Sequence, residues 1–227
     1  NAVGNGDIPV NADGKIPFAH DGTHPHLDTG HVIYENVLER SWPIIIAADT
    51  KQCAHNLPKP MMGNCLQTIS TLPIGDSRIT RSGNFQQDPP DHPITSSFLK
   101  RFSPFFSFEP GAEISFKFKG SKADAYALFG PTCGSIEITV DDNQPVKYKM
   151  FDPYCTWSRL VQVRLADGLD PNAIHAITIK VTNDDIDKRA NLFPESKHDF
   201  DEHPQKYIGK AFYVGCFFIV GEPVNAQ

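Results

Sequence analysis

Asp21 and His24 stand three residues apart in the string Asp21-Gly22-Thr23-His24-Pro25. At that spacing a carboxylate can turn back and accept the Nδ1–H of the imidazole. The tautomer is then fixed, and Nε2 is free to take a proton from a hydroxyl nucleophile. Asp and His are also common loop residues, so the pair alone carries little weight. His20, His26 and His31 crowd the same loop, where a metal site is conceivable, but no metal site and no cofactor are expected.

A second group of chemically able residues is Phe151-Asp152-Pro153-Tyr154-Cys155-Thr156-Trp157-Ser158-Arg159. Aromatic rings beside polar donors are the equipment of a sugar-binding surface, and Asp152, Tyr154, Trp157 and Arg159 are its candidate ligand contacts. The competing reading packs Phe151 and Tyr154 into the core and pairs Asp152 with Arg159. Two acidic stretches, His198 to His203 and Asp184 to Asp187, have metal-ligand residue types. Both are read as solvated loops, because the second lacks the glycine and terminal glutamate of a calcium loop.

The elements that must position these groups differ along the chain. Ile33, Tyr34, Val37, Leu38 and Trp42 recur at helical spacing, which predicts a helix over 31–42. Asp28 or Thr29 can cap it, and Pro43 is expected to stop it. Residues 44–48 read as a short strand or the start of a linker. From about residue 66 the pattern turns to β. Ile114, Phe116 and Phe118 alternate on one face, as do Ile136, Ile138 and Val140. Further strands are predicted over 123–129, 146–151, 160–165, 175–181 and 212–220, with turns at 119–121, 130–134 and 141–145. The 19 prolines and 16 glycines are spread along the chain, which favours short strands joined by turns. The fold class is therefore mainly β, an antiparallel β-sandwich or jelly roll.

Composition narrows the functional classes. The 227 residues carry a formal charge of −6 with no basic cluster, which argues against nucleic acid as a partner. No apolar run approaches membrane-spanning length. The five cysteines form no C-x-x-C pair. Cys53 and Cys65 could form a disulfide in an oxidising compartment, or all five could be free and mostly buried.

The wider string from Asp21 through Gly30-His31 and Ile33-Tyr34 into the helix resembles the last block of SGNH/GDSL-type hydrolases. That resemblance implies that His24 is a general base oriented by Asp21. The later strings Glu109 to Phe118, Gly130 to Gly134, Phe151 to Thr156 with Arg159-Leu160, and Tyr207-Ile208-Gly209 leading into Gly215 and Gly221-Glu222 are similar to the β-sandwich that trails such domains in a bacterial subset. The resemblance implies a loop–helix remnant of an α/β catalytic domain over 1–48, a linker over 49–65 and an accessory sandwich over 66–227. It also implies an upstream catalytic domain as partner, an acyl ester or glycan as substrate, and a secreted or periplasmic location. The family's nucleophile block is missing in its proper order, so this chain alone is expected to be inactive. An alternative is a carbohydrate-binding or domain-docking module with no catalysis of its own. Pro73-Ile74-Gly75-Asp76-Ser77 looks like the family's serine string, but the glycine and prolines over 78–93 exclude the helix that should follow.

Overall fold

A computed structural model describes residues 12, 18–19, 23–47, 68–99 and 104–225. The chain divides into two compact units, Asn1–Lys59 and Pro60–Gln227. The Cys53 and Cys65 positions lie outside the described residues.

The first unit is built on α1, Gly30–Ala47. Thr29 precedes its first turn, and the Thr29 carbonyl accepts from the Ile33 amide at 3.1 Å. The helix does not stop at Pro43; it carries the proline inside it and takes in Ile44 to Ala47, which are neither strand nor linker. A proline there removes one N–H, so the carbonyl a turn earlier loses its partner. The turn is exposed, so water can meet that carbonyl and the cost is tolerable. Ile33 is buried and Tyr34 packs edge-on against Phe18 at 5.7 Å, whereas Val37, Leu38 and Trp42 are exposed.

The second unit is an antiparallel β-sandwich with ten strands among the described residues. They are β1 (Ile69–Pro73), β2 (Thr80–Ser82), β3 (Phe85–Gln87), β4 (Phe106–Phe108), β5 (Glu113–Phe129), β6 (Ser135–Val140), β7 (Val146–Lys149), β8 (Arg159–Ala166), β9 (Ile174–Val181) and β10 (Phe212–Val224). Between β9 and β10 lie two short helices, α2 (Lys188–Asn191) and α3 (Lys197–Glu202).

Strand β5 serves both layers. Its first half pairs with β9, which continues to β6 and the edge strand β7. Its second half pairs with β8 on one side and β10 on the other. Beyond β10 lie β1 and β4, and then β3. The sequence reading placed a turn at 119–121, yet β5 runs straight through it. Gly120 and Gly221 face each other where the register of β5 and β10 shifts. A Cβ on Gly120 would lie 2.1 Å from the Val220 carbonyl oxygen, and one on Gly221 would lie 2.1 Å from that of Lys119. Only glycine lets the two backbones approach so closely, and the bulge re-aims both strands from one layer to the other.

The core between the layers is rich in phenylalanine. Phe105, Phe108, Phe118, Phe212 and Phe217 are fully buried, and the Phe116 and Phe217 rings are 4.5 Å apart. Ile114, Phe116 and Phe118 face inward as their alternation requires, as do Ile136 and Ile138. No helix among the described residues is long and apolar enough to cross a membrane.

Candidate functional site

The connection from β7 to β8 presents the most distinctive surface. Met150 and Phe151 are buried and anchor it from below. Asp152 then organises the turn. Its Oδ1 accepts from the Tyr154 amide at 3.0 Å, and its carbonyl accepts from the Cys155 amide at 3.1 Å. Its own amide donates to the Cys155 sulfur at 3.3 Å, and its Oδ2 pairs with Arg159. Burial pushes the Cys155 thiol up to about 11, so it stays protonated as a packing and hydrogen-bonding group beneath the turn.

The Arg159 guanidinium lies between two rings, 5.4 Å from the Phe129 centroid and 5.5 Å from that of Tyr154. Phe193 meets Tyr154 edge-on at 4.8 Å. Gly130 passes so close that a Cβ there would lie 2.6 Å from the Ser158 hydroxyl. These contacts fix the segment, yet Tyr154 and Trp157 each remain 58% exposed. Of the four candidate contacts, Asp152 and Arg159 pair with each other, while Tyr154 and Trp157 face solvent. The competing reading is thus right for Phe151 and for the ion pair, but Tyr154 does not enter the core.

Beneath this surface lies Lys188, which sequence reasoning did not single out. Its buried ammonium donates to three backbone carbonyls, those of Pro131 at 2.7 Å, Tyr207 at 2.9 Å and Gly209 at 2.8 Å. It also sits 5.6 Å from the centre of the Phe151 ring. Burial lowers its pKa to about 8. Its acceptors come from two segments distant in sequence, around Pro131 and over 207–209, so no local motif could have revealed it.

The loop of Asp21 and His24 is held at its base. Ala19 and Pro25 form an antiparallel bridge, and the His26 amide donates to the Phe18 carbonyl at 2.8 Å. Gly30 packs against that base, where a Cβ would lie 2.4 Å from the Phe18 oxygen. His24 is exposed on the loop. Asp21 lies outside the described residues.

Ser77 sits in a turn after β1. The adjacent Asp76 is committed to Arg78, with Oδ1 accepting from Nε at 2.8 Å and Oδ2 from the terminal nitrogen at 2.7 Å. The Arg78 guanidinium lowers its pKa to about 2. Among the described residues no histidine hydrogen-bonds Ser77. The acidic stretches are likewise dispersed among separate partners. Asp184 pairs with Lys147, Asp185 with Lys210, and Asp187 caps α2, while Asp199 takes Lys206 and Tyr207, and Asp201 takes Arg189. A cavity of about 590 Å³ at the Gly120–Gly221 crossing is lined by Lys119, Ser121, Pro171 and Glu222 without an aromatic ring, and is not assigned a ligand.

No protein-family model and no curated protein matches this sequence. Among solved structures, the chain is similar to a two-domain esterase active on acetylated mannans. The TM-score is 0.63 at 16% identity, over 92% of this chain and 51% of that one. The same kind of esterase co-crystallized with mannopentaose gives a TM-score of 0.61 at 14% identity, over 92% and 50%. The shared property is the fold. This chain spans about half the length of the esterases it matches.

Proposed function

We propose that this chain is the C-terminal part of a secreted serine ester hydrolase acting on acylated polysaccharide, and that its sandwich holds the polysaccharide. The observation that carries the reading is the pair of exposed rings, Tyr154 and Trp157, on a turn braced by Asp152, Cys155 and Arg159. Exposed aromatic faces on a fixed turn suit the apolar faces of sugar rings, because they bind without first paying to be ordered. Asp152 and Arg159 offer hydrogen bonds to hydroxyls at the rim. The fold shared with a two-domain esterase described as active on acetylated mannans supports this class of ligand.

In the complete protein His24 is the general base and Asp21 its orienting carboxylate. A serine outside this chain loses its proton to His24 Nε2 and attacks the ester carbonyl. The alcohol leaves with that proton, and water, activated by the same histidine, releases the acid. Exposure of His24 on a loop closed by the Ala19–Pro25 bridge is compatible with this role. On this reading the chain alone has no esterase activity.

The test is affinity electrophoresis of the chain through gels containing acetylated mannan or acetylated xylan. Retardation is expected, and Trp157→Ala and Tyr154→Ala should each abolish most of it. Retardation unchanged in both variants would remove this surface from the account.

A further inference from the structure

The rings of the 151–159 segment do not stand alone. From Tyr154 the series continues through the Arg159 guanidinium to Phe129, and the Phe129 ring lies 6.3 Å from that of Tyr148 on β7. Tyr148 in turn lines a cavity of about 280 Å³ with Asn143, Gln144, Val146 and Leu165. That volume is close to the lower end of the range for small-ligand sites.

The register explains why this cavity is unusual. Val146 pairs with Ile138 and Tyr148 with Ile136. Paired residues share a face of a sheet, so Val146 and Tyr148 point to the same side as the buried isoleucines. They belong to the core-facing side, yet Val146 is 64% exposed and Tyr148 is 37% exposed. Lys147 and Lys149 point the other way, where charge on an edge strand discourages pairing with another chain. The mouth of the sandwich is therefore open between β7 of one layer and β8 of the other. Its floor is apolar, supplied by Ile138 and Leu165, and its rim carries two amide side chains and the Arg164 guanidinium, which pairs with Asp124 and Asp167. Asn143 uses one amide hydrogen on the Val140 carbonyl at 2.9 Å, and among the described residues Gln144 makes no side-chain hydrogen bond.

We propose that this open mouth is a second sugar subsite, and that it and the Trp157–Tyr154 surface together bind one extended polysaccharide chain rather than a chain end or a single sugar. The inference rests on the reading of residues 151–159 as a glycan surface. Tyr148 supplies the ring against which a sugar stacks, and the amides of Asn143 and Gln144 supply donors and acceptors for its hydroxyls. The buried Phe129 ring, in contact with Arg159 and Tyr148, ties the two subsites together from beneath.

The test is calorimetric titration of the chain with linear manno- and xylo-oligosaccharides from the disaccharide to the hexasaccharide. Affinity should tighten by about tenfold or more along the series as the second subsite fills. Tyr148→Ala should remove that gain for long ligands and leave the shortest binders unchanged. Tyr148→Phe, which keeps the ring, should retain it, and an unaltered melting temperature of both variants separates binding from folding. If Trp157→Ala weakens every ligand while Tyr148→Ala changes none, the 151–159 surface stands and the second subsite is refuted. If Tyr148→Ala weakens every length equally, or Trp157→Ala has no effect, the sugar occupies one subsite and the extended chain is refuted. If no oligosaccharide binds, both readings fall together.

Discussion

Replacing Lys188 by methionine keeps most of the side chain's volume and deletes its charge. The ammonium makes hydrogen bonds of 2.7, 2.9 and 2.8 Å to the carbonyls of Pro131, Tyr207 and Gly209. Each carbonyl left dry costs about 1–3 kcal/mol. Relief of the buried charge offsets part of that sum, so the net loss is expected at about 3–5 kcal/mol, as for removing one partner from a buried charged set. At a urea m-value of about 2 kcal/mol/M this moves the unfolding midpoint down by roughly 2 M. Lys147, whose side chain is 62% exposed and pairs with Asp184, is the control; Lys147→Met should leave the midpoint nearly unchanged, because an exposed pair is screened by solvent. Hydrogen exchange should speed up first in the segments around residues 131 and 207–209. Because Lys188 also supports Phe151 under the candidate sugar surface, polysaccharide affinity should fall in the folded variant. A Lys188→Met midpoint within about 0.5 M of the parent would show that the three carbonyls find other partners, and would refute the reasoning.

His175 should make stability depend on pH. Its Nδ1 faces Asp141 Oδ2 at 2.9 Å and its Nε2 faces the Asp170 carbonyl at 3.0 Å, so both nitrogens are satisfied only in the protonated ring. The hydrogen bond to Asp141 raises the His175 pKa above its usual 6.5. Its stabilising contribution is therefore full below about pH 6.5 and lost as pH rises through the folded value. Denaturant midpoints measured from pH 5 to 9 should show this decline, and His175→Gln should flatten it. Gly221→Ala forces a Cβ to 2.1 Å from the Lys119 oxygen, so it should destabilise by on the order of 3 kcal/mol or prevent folding, as thermal unfolding would report. A fluorophosphonate probe should leave Ser77 unlabelled. In the complete protein, His24→Ala should lower ester hydrolysis at least a thousandfold without changing retardation by polysaccharide.

Much of the sandwich was legible because strict alternation leaves a clear period. The alternating Ile136, Ile138 and Val140 fall in the strand Ser135–Val140, and Ile114, Phe116 and Phe118 face inward as their alternation predicts. Two errors have a common origin in context. Pro43 reads locally as a stop, but an exposed proline on the solvent side of a helix costs less than a buried one. The Lys119-Gly120-Ser121 string looked like a turn, but glycine there serves a close approach to Gly221 across two strands, which no local window contains. The strands from Ile69 to Phe108 are mostly short, and too few residues repeat in them to show a period. At the candidate site, residue types alone pointed to Tyr154, Trp157, Asp152 and Arg159. They could not show which rings face outward, nor that Phe193 braces Tyr154 and the buried Phe129 lies between Arg159 and Tyr148. Those relations arise from pairing between strands, and Lys188 was hidden for the same reason.

The most direct measurement is the fluorescence of Trp157. The chain has two tryptophans, Trp42 and Trp157, so Trp42→Phe leaves Trp157 as the sole reporter. Titration with acetylated mannan oligosaccharide should shift its emission to the blue and saturate, as a sugar ring displaces water from the indole face. Binding detected by calorimetry with no change in this emission would contradict the claim that Trp157 is the platform on which the polysaccharide rests.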